Sequence, residues 1–281
     1  MESLAPNANR QKALTPSLLR HVLVGSHLAV VNNARDHAAD LLVGAFFFAM
    51  RSCEFVKTPL QGKTKILRLG CITFFDKRRN EVHQSDPELT NKARHVQVVF
   101  EDQKNGVRFD QRSQRKTKDS QLCPVLRFGR AVQRVLKFIP GADDSTPLCS
   151  TNDALRTKSK FITSEATLTR IRSTCQIYGG KAKFGFDPKE VGNKSLRSGA
   201  AMALFLKGHS SDRIMILGRW KSKAFLDYIR PQVISWTGCF SNDMIAFENF
   251  FELFSKKPHI LVEETEHQGN RSEIPSLHLG F

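Results

Sequence analysis

Asn193-Lys-Ser-Leu-Arg-Ser-Gly-Ala200, Leu217-Gly-Arg-Trp220 and Tyr228-Ile-Arg-Pro231 set a lysine, an arginine, a tryptophan and a tyrosine in fixed order on three short predicted helices. These residue types suit chemistry at a phosphodiester. Arginine presents a planar fork that matches two phosphate oxygens and stays charged. Lysine adds a point charge, the indole supplies a rigid wall, and the phenol is a nucleophile once a nearby cation or base lowers its pKa of about 10.

The surrounding composition agrees with an anionic target. The 281-residue chain carries 43 Lys and Arg against 27 Asp and Glu, a formal charge of +16, and 40% hydrophobic residues. Its cations are spread along the chain, which predicts a folded basic surface facing nucleic acid or an acidic membrane. The six cysteines form no CxxC pair and no zinc spacing, and most sit in apolar runs, so buried free thiols are expected. The first thirty residues hold no signal-peptide core, and the longest apolar run, Leu41 to Met50, is too short to span a bilayer. Glu165, Asp212, Asp227 and Glu248 make no paired-carboxylate spacing, which disfavours a two-metal nuclease; no metal or cofactor is expected.

Working outward, residues 1–14 read as a polar lead. Thr15-Pro16 reads as an N-cap and first helical residue of a helix to about Val31. A second helix is expected from Ala34 to Phe55, buried because it is apolar on all sides, with Arg51 at its end. The period then switches to two. Ile66–Phe75, His95–Phe100 and Val107–Arg112 read as strands, with a tight turn at Lys104-Asn-Gly106. Helices resume at Cys123-Pro124 to about Ile139 and at Ser164 to Tyr178. Ser210 or Ser211 caps the helix ending near Trp220, a further helix lies near Met244–Phe254, and 256–281 reads as a disordered tail. The expected fold is α+β: mainly helical with a small three-stranded antiparallel sheet.

Six landmarks in order, Ala49-Met-Arg-Ser-Cys-Glu54, Gln103-Lys104, Leu122-Cys-Pro124, Lys194-Ser-Leu-Arg-Ser-Gly199, Leu217-Gly-Arg-Trp220 and Phe225-Leu-Asp-Tyr-Ile-Arg230, carry a family resemblance. Over about residues 35–255 the chain resembles the tyrosine recombinases (phage-integrase-like), especially those of Crypton- and DIRS-like mobile elements. The resemblance implies cleavage and rejoining of DNA strands through a 3′-phosphotyrosyl intermediate. In that scheme Tyr228 attacks, Arg51 and Arg197 clamp the non-bridging oxygens, Lys104 protonates the leaving 5′-oxygen, Lys194 is a further cation, and Trp220 buttresses the site. It further implies a double-stranded DNA partner, a homo-oligomer (a tetramer) on DNA, a nuclear location, and neither a membrane nor a small-molecule substrate.

Two departures from the family pattern stand out. Lys194 occupies a position that is usually histidine, and an ammonium cannot accept a proton from tyrosine at neutral pH. Residues 1–34 are too short for the helical domain that usually clamps the far side of the DNA. The alternative reading is therefore a catalytically inactive or domesticated DNA-binding remnant. In either case Arg108, Arg112, Arg115, Lys116 and Lys118, answered in sequence only by Asp110 and Asp119, read as a track for the DNA backbone.

Overall fold

The computed structural model describes residues 11–222, apart from 28, 60, 61, 63, 103–105 and 154–159. All of these lie in the first of two compact units, Met1–Pro231. The helices are α1 (Pro16–Val22), α2 (Ala34–Phe47), α3 (Ser52–Phe55), α4 (Leu89–Lys92), α5 (Pro124–Phe138), α6 (Ser164–Ile177), α7 (Gly180–Phe184), α8 (Ser195–Leu206) and α9 (Ser211–Gly218). The strands are β1 (Ile72–Phe75), β2 (Glu81–Val82), β3 (His95–Asp102) and β4 (Arg108–Arg115), joined in one antiparallel sheet of order β2-β1-β3-β4.

The expected mixed, mainly helical architecture is present, with four strands instead of three. The additional strand is only two residues long. It is folded back onto β1 by Asp76, whose Oδ1 accepts from Arg78 N–H at 2.7 Å and Asn80 N–H at 2.9 Å. The first strand begins later than expected because Leu69–Cys71 forms a 3-10 turn. There Leu69 and Gly70 donate to the Thr146 and Asp144 carbonyls, both at 3.0 Å, so the chain is tied to the 140–147 loop before it can join the sheet.

The single helix expected over Ala34–Phe55 is two helices. α2 stops at Phe47, and Ala49 takes φ +45°, a left-handed conformation. Arg51 then sits in extended backbone at the N-cap of α3, where Glu54 accepts its N–H at 2.8 Å. α1 is likewise shorter than expected, ending at Val22, although Thr15 caps it as its sequence indicates.

α2 is the buried axis of the molecule. Gly44 lets α5 approach so closely that a Cβ there would lie 2.5 Å from the Phe128 ring. The same helix pair encloses Asp40, which is 1% exposed and meets Arg127, Arg130 and Arg134 of α5 at 3.0, 3.4 and 3.1 Å. His37, one turn earlier, donates through Nε2 to the Leu148 carbonyl at 2.7 Å and turns Nδ1 toward Arg134. Burial and the Arg134 charge pull its pKa down to about 3. Among the described residues no helix is long and apolar enough to cross a membrane, and five cysteines are free thiols.

Candidate active site

α9 is capped by Ser210, which accepts from Arg213 N–H at 3.5 Å, and it ends in a turn that organises the site. Arg219 closes the helix at φ +57°. Glycine is the usual residue at such a left-handed closing position, since a β-carbon is penalised there. The side chain of Arg219 provides the compensation. It is 1% exposed, and its Nη2 donates to Glu54 Oε2 at 2.7 Å and its Nη1 to the Phe48 carbonyl at 2.9 Å. Its guanidinium carbon lies 3.7 Å from the centre of the Phe100 ring. Burial lowers the pKa of Arg219, with Glu54 opposing that shift and Arg51 adding to it.

Glu54 is the carboxylate between two arginines. Besides Arg219 it accepts from the backbone N–H and from Nη1 of Arg51, both at 2.8 Å. Arg51 remains 25% exposed at its side chain while Glu54 is 2% exposed. A buried acid thus fixes the inner edge of a cation whose outer edge reaches solvent.

Arg197 and Trp220 form the other half. α8 begins at Lys194, its N-cap, so Arg197 falls in the first turn and is 5% exposed. Its Nη2 donates to the Gly218 carbonyl, and its guanidinium stacks on the Trp220 indole with 4.2 Å to the centroid. The indole covers Gly218 so tightly that a Cβ there would lie 1.5 Å from Trp220 Cζ3, which explains the glycine. Lys194 is exposed, and its N–H donates to Gln11 Oε1 at 2.8 Å. α8 is held from behind by Leu14, whose N–H donates to the Ser195 carbonyl at 2.9 Å.

Arg51 and Arg197, remote in sequence, are therefore both brought to the Gly218-Arg219-Trp220 turn, with Lys194 one turn of α8 away. Lys104 and Tyr228, the expected acid and nucleophile, lie outside the described residues. Glu54 and Arg219 were not among the sequence-derived site residues. The signal that would have found them is the N-cap/N3 spacing of Arg51 and Glu54 together with a second arginine beside the tryptophan.

The basic track divides into residues turned to the protein and residues turned to solvent. Arg112 faces the protein, donating to the Ile216 carbonyl at 2.9 Å and pairing with Asp110, and Lys116 donates to the Thr90 carbonyl at 2.6 Å. Burial and Arg94 lower the Lys116 pKa. Arg115 and Lys118 are exposed, and Arg108, 74% exposed at its side chain, meets Asp102 at 2.9 Å. Of the two acids the sequence suggests, Asp110 answers Arg112 while Asp119 pairs with Arg20 of α1, and Asp102 answers Arg108. A hollow of about 360 Å³ separates this strand from the end of α9, bounded by Asp110, Arg112, Met215, Ile216 and Trp220 among others. A larger one, about 670 Å³ between α2 and α6, holds none of the candidate residues. Among the described residues no cluster of three or more metal-ligating side chains occurs.

No protein-family model matches the chain, and no curated protein does. Among solved structures it is similar to the XerH site-specific recombinase bound to difH, with 13% identity and a TM-score of 0.49, over 83% of this chain and 54% of that one. It is also similar to the Tn1549 transposon integrase in complex with transposon right-end DNA, at 12% identity and a TM-score of 0.44, over 80% and 63%. The chain thus spans between half and two thirds of those proteins. At such identities and scores the likeness assigns no residue a role.

Proposed function

We propose that this chain is a tyrosine recombinase that cleaves and rejoins duplex DNA, as its motifs suggest. The observation that carries the reading is that Arg197 bonds the Gly218-Arg219-Trp220 turn directly and Arg51 is tied to it through Glu54, eight residues short of Tyr228. In the proposed step Tyr228 Oη releases its proton to solvent as it attacks the scissile phosphorus, and the bond to the 5′-oxygen breaks. That oxygen takes a proton from Lys104, and the 3′-phosphate stays on the tyrosine. A 5′-hydroxyl then reverses the attack. Arg51, Arg197 and Lys194 offset charge on the phosphate oxygens. The phosphotyrosine conserves the bond, so the step requires no metal or nucleotide. Assembly as a homotetramer on DNA, residence in a mobile element and a nuclear location belong to the same proposal.

A nicked suicide duplex tests it. Wild-type protein should become covalently attached to the 3′ end created at the cleavage site, and Tyr228→Phe should yield no adduct. A second reading, a DNA-binding module without turnover, is favoured by one feature: Lys194 stands exposed at the head of α8, where it can donate but not accept a proton. Binding without any adduct in wild type, with an adduct appearing in Lys194→His, would select that reading.

A further inference from the structure

Phe109 is 69% exposed, flanked by Arg108 and the partly exposed Val107, on a strand at the edge of the sheet. Its φ is +52°, an unfavourable conformation for a residue with a β-carbon and uncommon for an aromatic. The ladder records the distortion. Phe100 pairs with Asp110 and Asp102 with Arg108, while the intervening Glu101–Phe109 pair is missing. A strained backbone thus holds a large apolar ring in water, which needs an explanation outside the fold.

The surroundings indicate the occupant. On the same strand Arg108 and Arg115 are exposed, Lys118 follows, and the whole chain carries +16. One aromatic ring among cations complements a base stack rimmed by phosphates, and apolar side chains inserted between base steps are a known means of unstacking a duplex. Val107 and Ile216 are also exposed and border the neighbouring hollow, but a protein partner seated there would have to tolerate these positive charges. We infer that Phe109 is a wedge for double-stranded DNA, entering a base step while Arg108 holds an adjacent phosphate and Arg115, about 20 Å along the strand, one further along the backbone. This rests on the duplex-DNA reading above, and it adds a contact that selects easily unstacked steps.

The experiment uses the full chain and duplexes with 2-aminopurine placed at successive steps, read by emission and by filter binding. Wild type should raise the emission at one or two steps. Phe109→Ala should abolish the rise and bind about tenfold more weakly, from the loss of one stacking contact. Phe109→Leu should keep the rise, and Arg108→Ala should weaken binding and lower the salt slope by about one while keeping it. Since Phe109 is exposed, unchanged thermal unfolding of Phe109→Ala verifies that the fold is intact. Duplex binding without an emission rise at any step overturns the wedge alone, as does Phe109→Ala unstacking like wild type. Absence of duplex binding by wild type overturns the DNA reading with it.

Discussion

Removing the Glu54 carboxylate should be among the most damaging single changes to this fold, and the reason can be worked through bond by bond. Glu54 accepts three hydrogen bonds from Arg51 and Arg219, and it and Arg219 are 2% and 1% exposed at their side chains. Glu54→Ala leaves the Arg219 guanidinium buried without its carboxylate, against the Phe48 and Leu217 carbonyls and an aromatic face. Breaking a buried pair from one side costs about 3–5 kcal/mol, because the remaining charge has lost its counter-ion. Glu54→Gln retains an acceptor but loses the charge, so about 2 kcal/mol is expected. The control is Asp86→Asn. That acid meets Lys92 at 2.7 Å, the same separation, but the lysine is 54% exposed, and solvent screens such a pair. Urea denaturation of the three variants should therefore give a large, a medium and a near-zero loss. In a double-mutant cycle, Glu54→Gln with Arg219→Met should lose at least about 1 kcal/mol less than the two single changes together. Equal losses for Glu54→Ala and Asp86→Asn would refute the argument that burial decides the worth of the pair.

Three further outcomes follow from the same structure. His37 is buried and neutral, with a folded pKa near 3 against an unfolded value of about 6.5, so stability should fall as pH drops through that window. The unfolded state binds the proton first, giving a slope of about 1.4 kcal/mol per pH unit that His37→Gln should flatten in chemical denaturation series. Gly218→Ala should drive the indole off Arg197, costing about 1–3 kcal/mol and shifting Trp220 emission, read in a Trp236→Phe background. Gly199→Ala places a Cβ 2.2 Å from the Leu14 carbonyl, a backbone atom that cannot swing aside, so it should destabilise at least as much, seen as a lower Tm.

How much was legible in the sequence depended on whether the deciding force was local. The Thr15 and Ser210 caps were readable because a hydroxyl three residues from an N–H is a local matter. The break at Ala49 was hidden because Leu41 to Met50 is apolar throughout, and such a run looks the same whether straight or broken. The order of Arg51, Arg197 and Trp220 was visible in the motifs. The Glu54–Arg219 bond, spanning 165 positions, was not, since no local pattern pairs such distant charges. The opposite facing of Arg112 and Arg115 followed from an available rule. A period-two strand sends alternate residues to opposite faces, and treating the two as one charge track ignored it, whereas Lys116 lies past the end of β4 and is placed by its bond to the Thr90 carbonyl.

Four guanidiniums, those of Arg51, Arg112, Arg197 and Arg219, lie around the α9 turn with two carboxylates, Glu54 and Asp110, and the division of labour among them is set by what each guanidinium bonds. Arg219 and Arg112 bond to protein carbonyls and acids, so they act as framework. Arg51 is different: among its described contacts the guanidinium meets Glu54 on one edge and no main-chain carbonyl, which suits a group that holds an anion without being consumed by the fold. Two measurements on the same variants should separate these roles. Arg51→Ala leaves Glu54 with Arg219 and a backbone N–H, so it should cost about 1 kcal/mol of stability while weakening duplex binding and lowering its salt slope by about one. Arg219→Ala removes the ion pair, the Phe48 bond and the Phe100 contact together, and should cost about 3 kcal/mol or more with an unchanged salt slope in the fraction that remains folded. If Arg51→Ala proved as destabilising as Arg219→Ala and left the salt slope untouched, Arg51 would belong to the framework and the cationic face would have to be sought at Lys194.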